Sequence, residues 1–184
     1  MAASKFTAAH YTSEQFVESC GAILFDLSHP ILKVCILHYI KKDQWLLAKG
    51  RRNCNESRCE AALREMHEET GYKCHLSRVT MPTRAPGPDE ACNVSDRARI
   101  YSGLSEPFML SIREMDGKSN VKLIWWYIAE IDWQTPKVNG EPEFTAALFD
   151  SDEALRRLTF QGDRDVLIRA ISILENSCQQ ESRN

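Results

Sequence analysis

No stretch of the 184-residue chain is apolar for long enough to cross a bilayer, which takes about 20 residues as a helix, and no two of its seven cysteines are spaced C-x-x-C. An odd number of thiols leaves at least one without an intrachain partner. The set (20, 35, 54, 59, 74, 92 and 178) reads as reduced cysteines, several packed as small hydrophobes. Cys54, Cys59, His67, Cys74 and His75 lie near one another in the chain, but their spacings fit no usual zinc pattern. His67-Glu68 starts like H-E-x-x-H, yet position 71 is glycine. The opening MAASKFTAAHYTSEQF lacks the apolar centre of a secretion signal, so a cytoplasmic location is expected. A net charge of −3 exerts no general pull on nucleic acid or anionic membrane, and no aromatic–basic RNA motif is present. There is no internal repeat and no low-complexity linker. The length suits one domain that buries about two-thirds of its unfolded surface, with residues 17–177 as its body and 1–16 and 178–184 as loose ends.

What is there is a mixture of short apolar runs and amphipathic segments. Glu18–Phe25, Lys33–Ile40 and Gln44–Leu47 read as strands, the first two joined by LSHP. Another strand is expected near Tyr72–Val79, and a proline-bearing loop over Met81–Gly103. Phe108–Met115 and Val121–Ile131 flank DGKSN as a hairpin. The second arm, VKLIWWYIAEI, is the most apolar segment and therefore a central strand. Phe144–Leu148 closes the strands. Ser151–Leu158 and Asp163–Glu175 read as helices, the latter with Val166, Leu167, Ala170, Ile173 and Leu174 on one stripe. Strands without regular βα alternation around two or three helices make an α+β domain with a mixed sheet.

Chemistry concentrates in GRRNCNESRCEAALREMHEETGY, residues 50–72. Ser57-x-x-Glu60 is a capping box, and Gly71 is placed as a left-handed C-cap, so a helix is expected from about Arg58 to Thr70. At about 100° per residue, Cys59, Ala62, Leu63, Met66 and Thr70 share the core side. Glu65, Glu68 and Glu69 share another, with Arg64 one turn before Glu68. Three carboxylates on one face repel unless a cation sits among them. Oxygen ligands suit a hard divalent ion such as Mg²⁺.

The segment resembles the Nudix box, G-x5-E-x7-R-E-U-x-E-E-x-G-U, where U is bulky and apolar. Gly50, Glu56, Arg64, Glu65, Glu68, Glu69 and Gly71 fill every fixed position, Met66 fills one U site and Tyr72 puts an aromatic in the other. Gly21-Ala22-Ile23-Leu24 is similar to the family's first strand, and Phe149–Ala154 with the last helix to its ending. The resemblance implies an α/β/α sandwich. It also implies Mg²⁺- or Mn²⁺-dependent hydrolysis of a phosphoanhydride in a small-molecule substrate built on a diphosphate. Glu65, Glu68, Glu69 and the Gly50 carbonyl would hold metal, Arg64 would hold Glu68, and Glu68 and Glu69 would take part in catalysis. Some members are thought to use a later glutamate as base; here Glu141 and Glu143 are the candidates, with Glu143 carried as the catalytic one.

Substrate class rests on residues outside the box. Trp45-Leu46-Leu47-Ala48-Lys49-Gly50 is similar to the W-x-L-P-K-G lead-in of diadenosine polyphosphate hydrolases and diphosphoinositol polyphosphate phosphohydrolases, with Ala48 in place of proline. Residues 41–58 hold six basic side chains against two acidic ones. Lys49, Arg51 and Arg52 are the expected phosphate contacts, with Arg84 extending the rim. Arg78, Arg97, Arg99, Arg113, Lys118 and Lys122 are further candidates for that rim, with six acidic residues interspersed among them. Pro88, sixteen residues past the box, is where ADP-ribose hydrolases of the family often carry proline, and a nucleoside diphosphate substrate is the alternative reading. Capped RNA and a non-catalytic binding module are more remote ones. Inositol pyrophosphates, then diadenosine polyphosphates, lead.

Overall fold

Three long strands sort their side chains alternately onto two faces, and that sorting organises the molecule. The computed structural model describes residues 7–87, 90, 93–115 and 120–181. β1 (Phe16–Asp26) runs through the centre of the main sheet. On one side it pairs antiparallel with β2 (Lys33–Tyr39) and, further along, with β4 (Lys49–Arg51). On the other it runs parallel to β9 (Asn120–Ile131). β3 (Gln44–Leu46) and β10 (Phe144–Asp150) flank β2, while β5 (Cys74–Leu76) and β8 (Met109–Met115) share the far edge of β9. The sheet is thus mixed, as expected, and VKLIWWYIAEI lies inside it.

Ile23 and Phe25 of β1, Val34 and Ile36 of β2, and Ile124, Trp126 and Ile128 of β9 face one way. They bury Ala154 of α2 (Ser151–Arg157) and the predicted stripe of α3 (Gln161–Glu181). Cys20, Ala22, Leu24, Cys35, Leu37, Tyr127, Ala129 and Ile131 face the other way, under α1 (Arg58–Thr70). The result is an α/β/α sandwich. α1 is turned slightly from the expected orientation: Ala61 is fully buried with Ala62, Met66 and Thr70, whereas Cys59 and Leu63 are half-buried. None of the described helices is long and apolar enough to cross a membrane.

The sequence reading needs three corrections. The strand expected near Tyr72–Val79 divides: β5 caps the end of β9, and the chain then leaves the sheet as β6 (Val79–Thr83). β6 forms a separate ribbon with β7 (Arg99–Leu104), inside the segment expected to be loop. Pro82 is tolerated there because a two-stranded ribbon offers an outer edge where no N–H is needed. β4 was also not foreseen; its three residues are too few to show a period. Pro88, Cys92, Lys118 and residues 116–119 of the expected hairpin turn lie outside the described residues.

Gly21 lets β1 and β4 approach. A Cβ there would come 2.5 Å from the Ala48 carbonyl oxygen and 2.8 Å from the Trp126 ring. Gly21→Ala is therefore expected to cost about 1–3 kcal/mol through overpacking, read as a lower urea midpoint at unchanged slope. An unchanged midpoint would mean that the β1–β4 contact is looser than described.

Candidate active site

The helix α1 is closed at both ends by local capping contacts. Ser57 Oγ accepts the Glu60 N–H at 3.2 Å, and the Glu60 carboxylate accepts the Ser57 N–H at 2.8 Å. Gly71, at φ 75°, closes the other end by donating its N–H to the His67 carbonyl. A Cβ at position 71 would also strike the Val138 carbonyl, so glycine is required there twice over.

Arg64 ties this frame together. Its Nε and Nη2 donate to the two oxygens of Glu56 at 2.7 and 3.0 Å. Nη2 also reaches the Arg51 carbonyl at 2.9 Å, and Nη1 donates to both Glu65 and Glu68 at 2.8 Å. One planar cation thus joins the loop, the end of β4 and two of the three clustered carboxylates, geometry that a lysine could not reproduce. Glu56 in turn accepts the Asn53 N–H at 2.8 Å.

The remaining carboxylate, Glu69, points back to β4 and accepts the Lys49 N–H at 2.8 Å. Burial is the main force on its acidity. It pushes the carboxyl up to about 8, with Glu65 and Glu141 adding to the rise and Lys49 opposing it. Burial likewise raises Glu65, against the Arg64 contact that lowers it. Gly50 lies so close to Glu65 that any Cβ would overlap its carboxylate. The backbone of β4 and the acidic face of α1 therefore meet with no side chain between them.

This pocket of oxygen ligands suits a divalent cation. Two carboxylates sit where burial penalises their charge, and a glycine leaves its backbone open beside one of them. Among the described residues no three His, Cys, Asp or Glu side chains already converge on one point. Arg64 holds Glu65 and Glu68 through the same nitrogen, while Glu69 turns to the Lys49 N–H.

Other expected residues are placed differently. Glu143 is ion-paired with Lys41. The loop glutamate that faces the cluster is Glu141: its N–H donates to the Glu68 carbonyl at 2.8 Å, and its charge raises both Glu65 and Glu69. Glu141, Gly140 and Phe144 join Glu69 in lining a cavity of about 400 Å³. Arg52 faces inward, bonding Glu18 at 2.9 Å and the Glu56 carbonyl at 2.8 Å. Arg84 is an exposed partner of Asp96 past the end of β6. Of the expected substrate contacts, only Lys49 and Arg51 stand on β4 beside the carboxylates. Glu18 was missed altogether. It accepts from Arg52, Arg58 and the Trp125 indole, and so anchors the loop to β1. Nothing in local spacing signals a role that depends on strands brought together from distant parts of the chain.

The Glu69 environment has a measurable consequence. A carboxyl raised from 4.5 in the unfolded chain to about 8 in the fold favours the native state fully below pH 4.5 and loses that contribution as pH rises toward 8. Glu69→Gln keeps an acceptor for the Lys49 N–H without the charge. In EDTA it is expected to be more stable than the parent at pH 8, by on the order of 1 kcal/mol or more, and equal to it near pH 4. Equal stability across that range would show that Glu69 is not desolvated.

Comparison with known proteins agrees with this geometry. A profile of the NUDIX domain matches residues 18–170. An 8-oxo-(d)GTP phosphatase of Mycolicibacterium smegmatis is 37% identical over 83 residues, which cover 38% of this chain and 26% of that protein. The chain therefore spans about a quarter of this relative. Among solved structures, a NUDIX hydrolase from Nitrosomonas europaea superposes with a TM-score of 0.56 at 13% identity, covering 85% of this chain and 88% of its own. The Ap4A hydrolase of C. elegans superposes with a TM-score of 0.56 at 12% identity, covering 86% and 98%. At such identities these likenesses show the fold. With the profile spanning most of the chain and the box residues clustered as described, the chain belongs to the NUDIX domain family.

Proposed function

We propose that this protein is a metal-dependent phosphohydrolase that cleaves a phosphoanhydride bond in a small polyphosphorylated molecule. Inositol pyrophosphates are the leading substrates and diadenosine polyphosphates the next. The observation that carries the reading is the carboxylate cluster of α1, framed by Arg64 and closed against the bare backbone of Gly50. Glu65, Glu68 and Glu69, with the Gly50 carbonyl, are the residues that would hold Mg²⁺ or Mn²⁺. A cation so held neutralises phosphate charge and acidifies a water molecule.

The protein's own part is positioning and charge. Arg64 keeps Glu65 and Glu68 in register with β4, and Lys49 brings a positive charge to the edge of the cluster. Glu141, whose N–H donates to the Glu68 carbonyl, takes the proton from water in this reading, the role first expected of Glu143. Substrate preference for many phosphates is supported by Lys49 and Arg51 on the strand that borders the carboxylates. The fold likeness to a protein described as an Ap4A hydrolase is compatible with that preference. A nucleoside triphosphate is the second reading, favoured by the local similarity to the 8-oxo-(d)GTP phosphatase.

The test is hydrolysis of an inositol pyrophosphate, diadenosine tetraphosphate, ADP-ribose and 8-oxo-dGTP, with Mg²⁺ or in EDTA. Activity is expected only with metal, and highest on the first two. Glu68→Gln should lower kcat by about 100-fold or more. Glu141→Gln should lower it on the order of 100-fold, and Glu143→Gln by less than about threefold. Full activity in EDTA would refute the metal requirement. A larger loss at Glu143 than at Glu141 would restore the first assignment of the base.

A further inference from the structure

Four cations that lie far apart in the sequence are collected on one face of the main sheet. In the register of the strands, Lys49 stands opposite Gly21 and Arg51 opposite Ser19, both on the β4 side of β1. Across β1, Val17 stands opposite Lys122 and Ser19 opposite Ile124 on β9. One strand further out, Arg113 of β8 is the direct partner of Lys122. Paired residues share a face and alternate residues return to it, so Lys49, Arg51, Lys122 and Arg113 all project from the side that α3 covers further along. β4 and β9 are separated only by β1, roughly 10 Å from strand to strand, which long basic side chains readily bridge.

Acidic groups answer only part of this charge. The buried Asp163 at the start of α3 lies 3.5 Å from Arg113 and also feels Lys49, and Glu69 feels Lys49 from the other side. Lys122 is disfavoured as a cation, first by burial and then by Lys49, Arg113 and Arg51, with Glu65 opposing this. A second, independent observation lies beneath the cluster. Ser19 is completely buried, and its Oγ has no hydrogen-bond partner among the described residues. A buried hydroxyl left unpaired is costly, and it sits on the face and at the register position where the cations meet. Unpaired donors and crowded positive charge are both relieved by one kind of occupant, a multiply charged oxyanion.

We infer that Lys49, Arg51, Arg113 and Lys122 form a subsite on the α3 side of the sheet for the distal phosphates of the substrate, across the sheet edge from the carboxylate cluster. The inference rests on the proposed hydrolase reading for the word substrate, but not for the binding of the anion. It replaces the expected rim, in which Arg52 and Arg84 took part, with two residues from interior and edge strands. The acidic cluster and the basic subsite then address different parts of one molecule: the bond to be cleaved, and the phosphates beyond it.

The probe is inorganic tripolyphosphate, titrated calorimetrically into the full chain in EDTA, where hydrolysis is silent. Lys122→Met and Arg51→Met should each weaken its binding about tenfold, and moderate salt should weaken it further. Lys122→Met removes a charge that the fold disfavours, so its melting temperature should be at least that of the parent, which separates lost binding from lost structure. Arg84→Met, at an exposed residue paired with Asp96, should bind tripolyphosphate as the parent does. In the hydrolysis assay, both methionine variants should lose more kcat/KM on a polyphosphate than on ADP-ribose, and tripolyphosphate should compete with the polyphosphate. Parent protein that fails to bind tripolyphosphate, or binding indifferent to both substitutions, would overturn the subsite. So would non-competitive inhibition, which would point to a separate site for free polyphosphate. If tripolyphosphate binds as described while no substrate is hydrolysed, the proposed activity fails and the anion site stands.

Discussion

The guanidinium of Arg64 is the contact on which the rest of the site depends. It satisfies Glu56 in the loop, Glu65 and Glu68 on the helix, and the Arg51 carbonyl at the end of β4. Each of these partners belongs to a different local structure. Without the shared cation, the loop would lose its tether to the helix, and Glu65 would face the Gly50 backbone as an unpaired, half-buried charge. Such charges are costly unless paired and hydrogen-bonded. The frame needs close packing to work. Gly21 admits β4 against β1, Gly50 admits Glu65 against β4, and Gly71 admits the 138–141 loop against the end of α1. Two strands and a helix are brought together by three places where no side chain intervenes.

Around that frame the charge is divided. The α1 side carries the carboxylates, of which Glu69 is buried enough to be pushed up to about 8. The α3 side carries Lys49, Arg51, Arg113 and Lys122. Lys49 belongs to both, since its N–H holds Glu69 while its side chain joins the basic group. A net charge of −3 conceals this division completely. Concentrations of like charge are costly to fold, and in the proposed reading the one suits a cation and the other an oxyanion.

What could be read in the chain was what depends on near neighbours. The capping box at Ser57 and Glu60 and the terminating Gly71 gave α1 its bounds, because both contacts form within one turn. The apolar run of β9 and the stripe of α3 identified core elements through their periods. The ribbon of β6 and β7 was hidden by Pro82 and by a pairing across more than a dozen intervening residues. The site was legible to the same degree. Arg64, Glu65, Glu68 and Glu69 lie on one helix, and their arrangement follows from helical geometry. The inward commitment of Arg52 depends on Glu18, thirty-four residues away, and the loss of Glu143 to Lys41 spans over a hundred. Lys122 and Arg113 were two among several scattered basic residues in the chain, and only strand register sets them side by side with Arg51 across β1.

The central claim is that Glu65 and Glu69 are held as cation ligands and are not merely part of a solvated acidic helix. Titration of Mn²⁺ into metal-free protein, followed by loss of the free-ion paramagnetic signal, tests it most directly. The informative comparison is with Glu60→Gln, on the same helix, where glutamine preserves the capping contact. The account predicts that the parent and Glu60→Gln bind alike, while Glu65→Gln and Glu69→Gln each lose at least about tenfold in affinity, comparable to losing one charged contact. Equal affinity in all four proteins would contradict it.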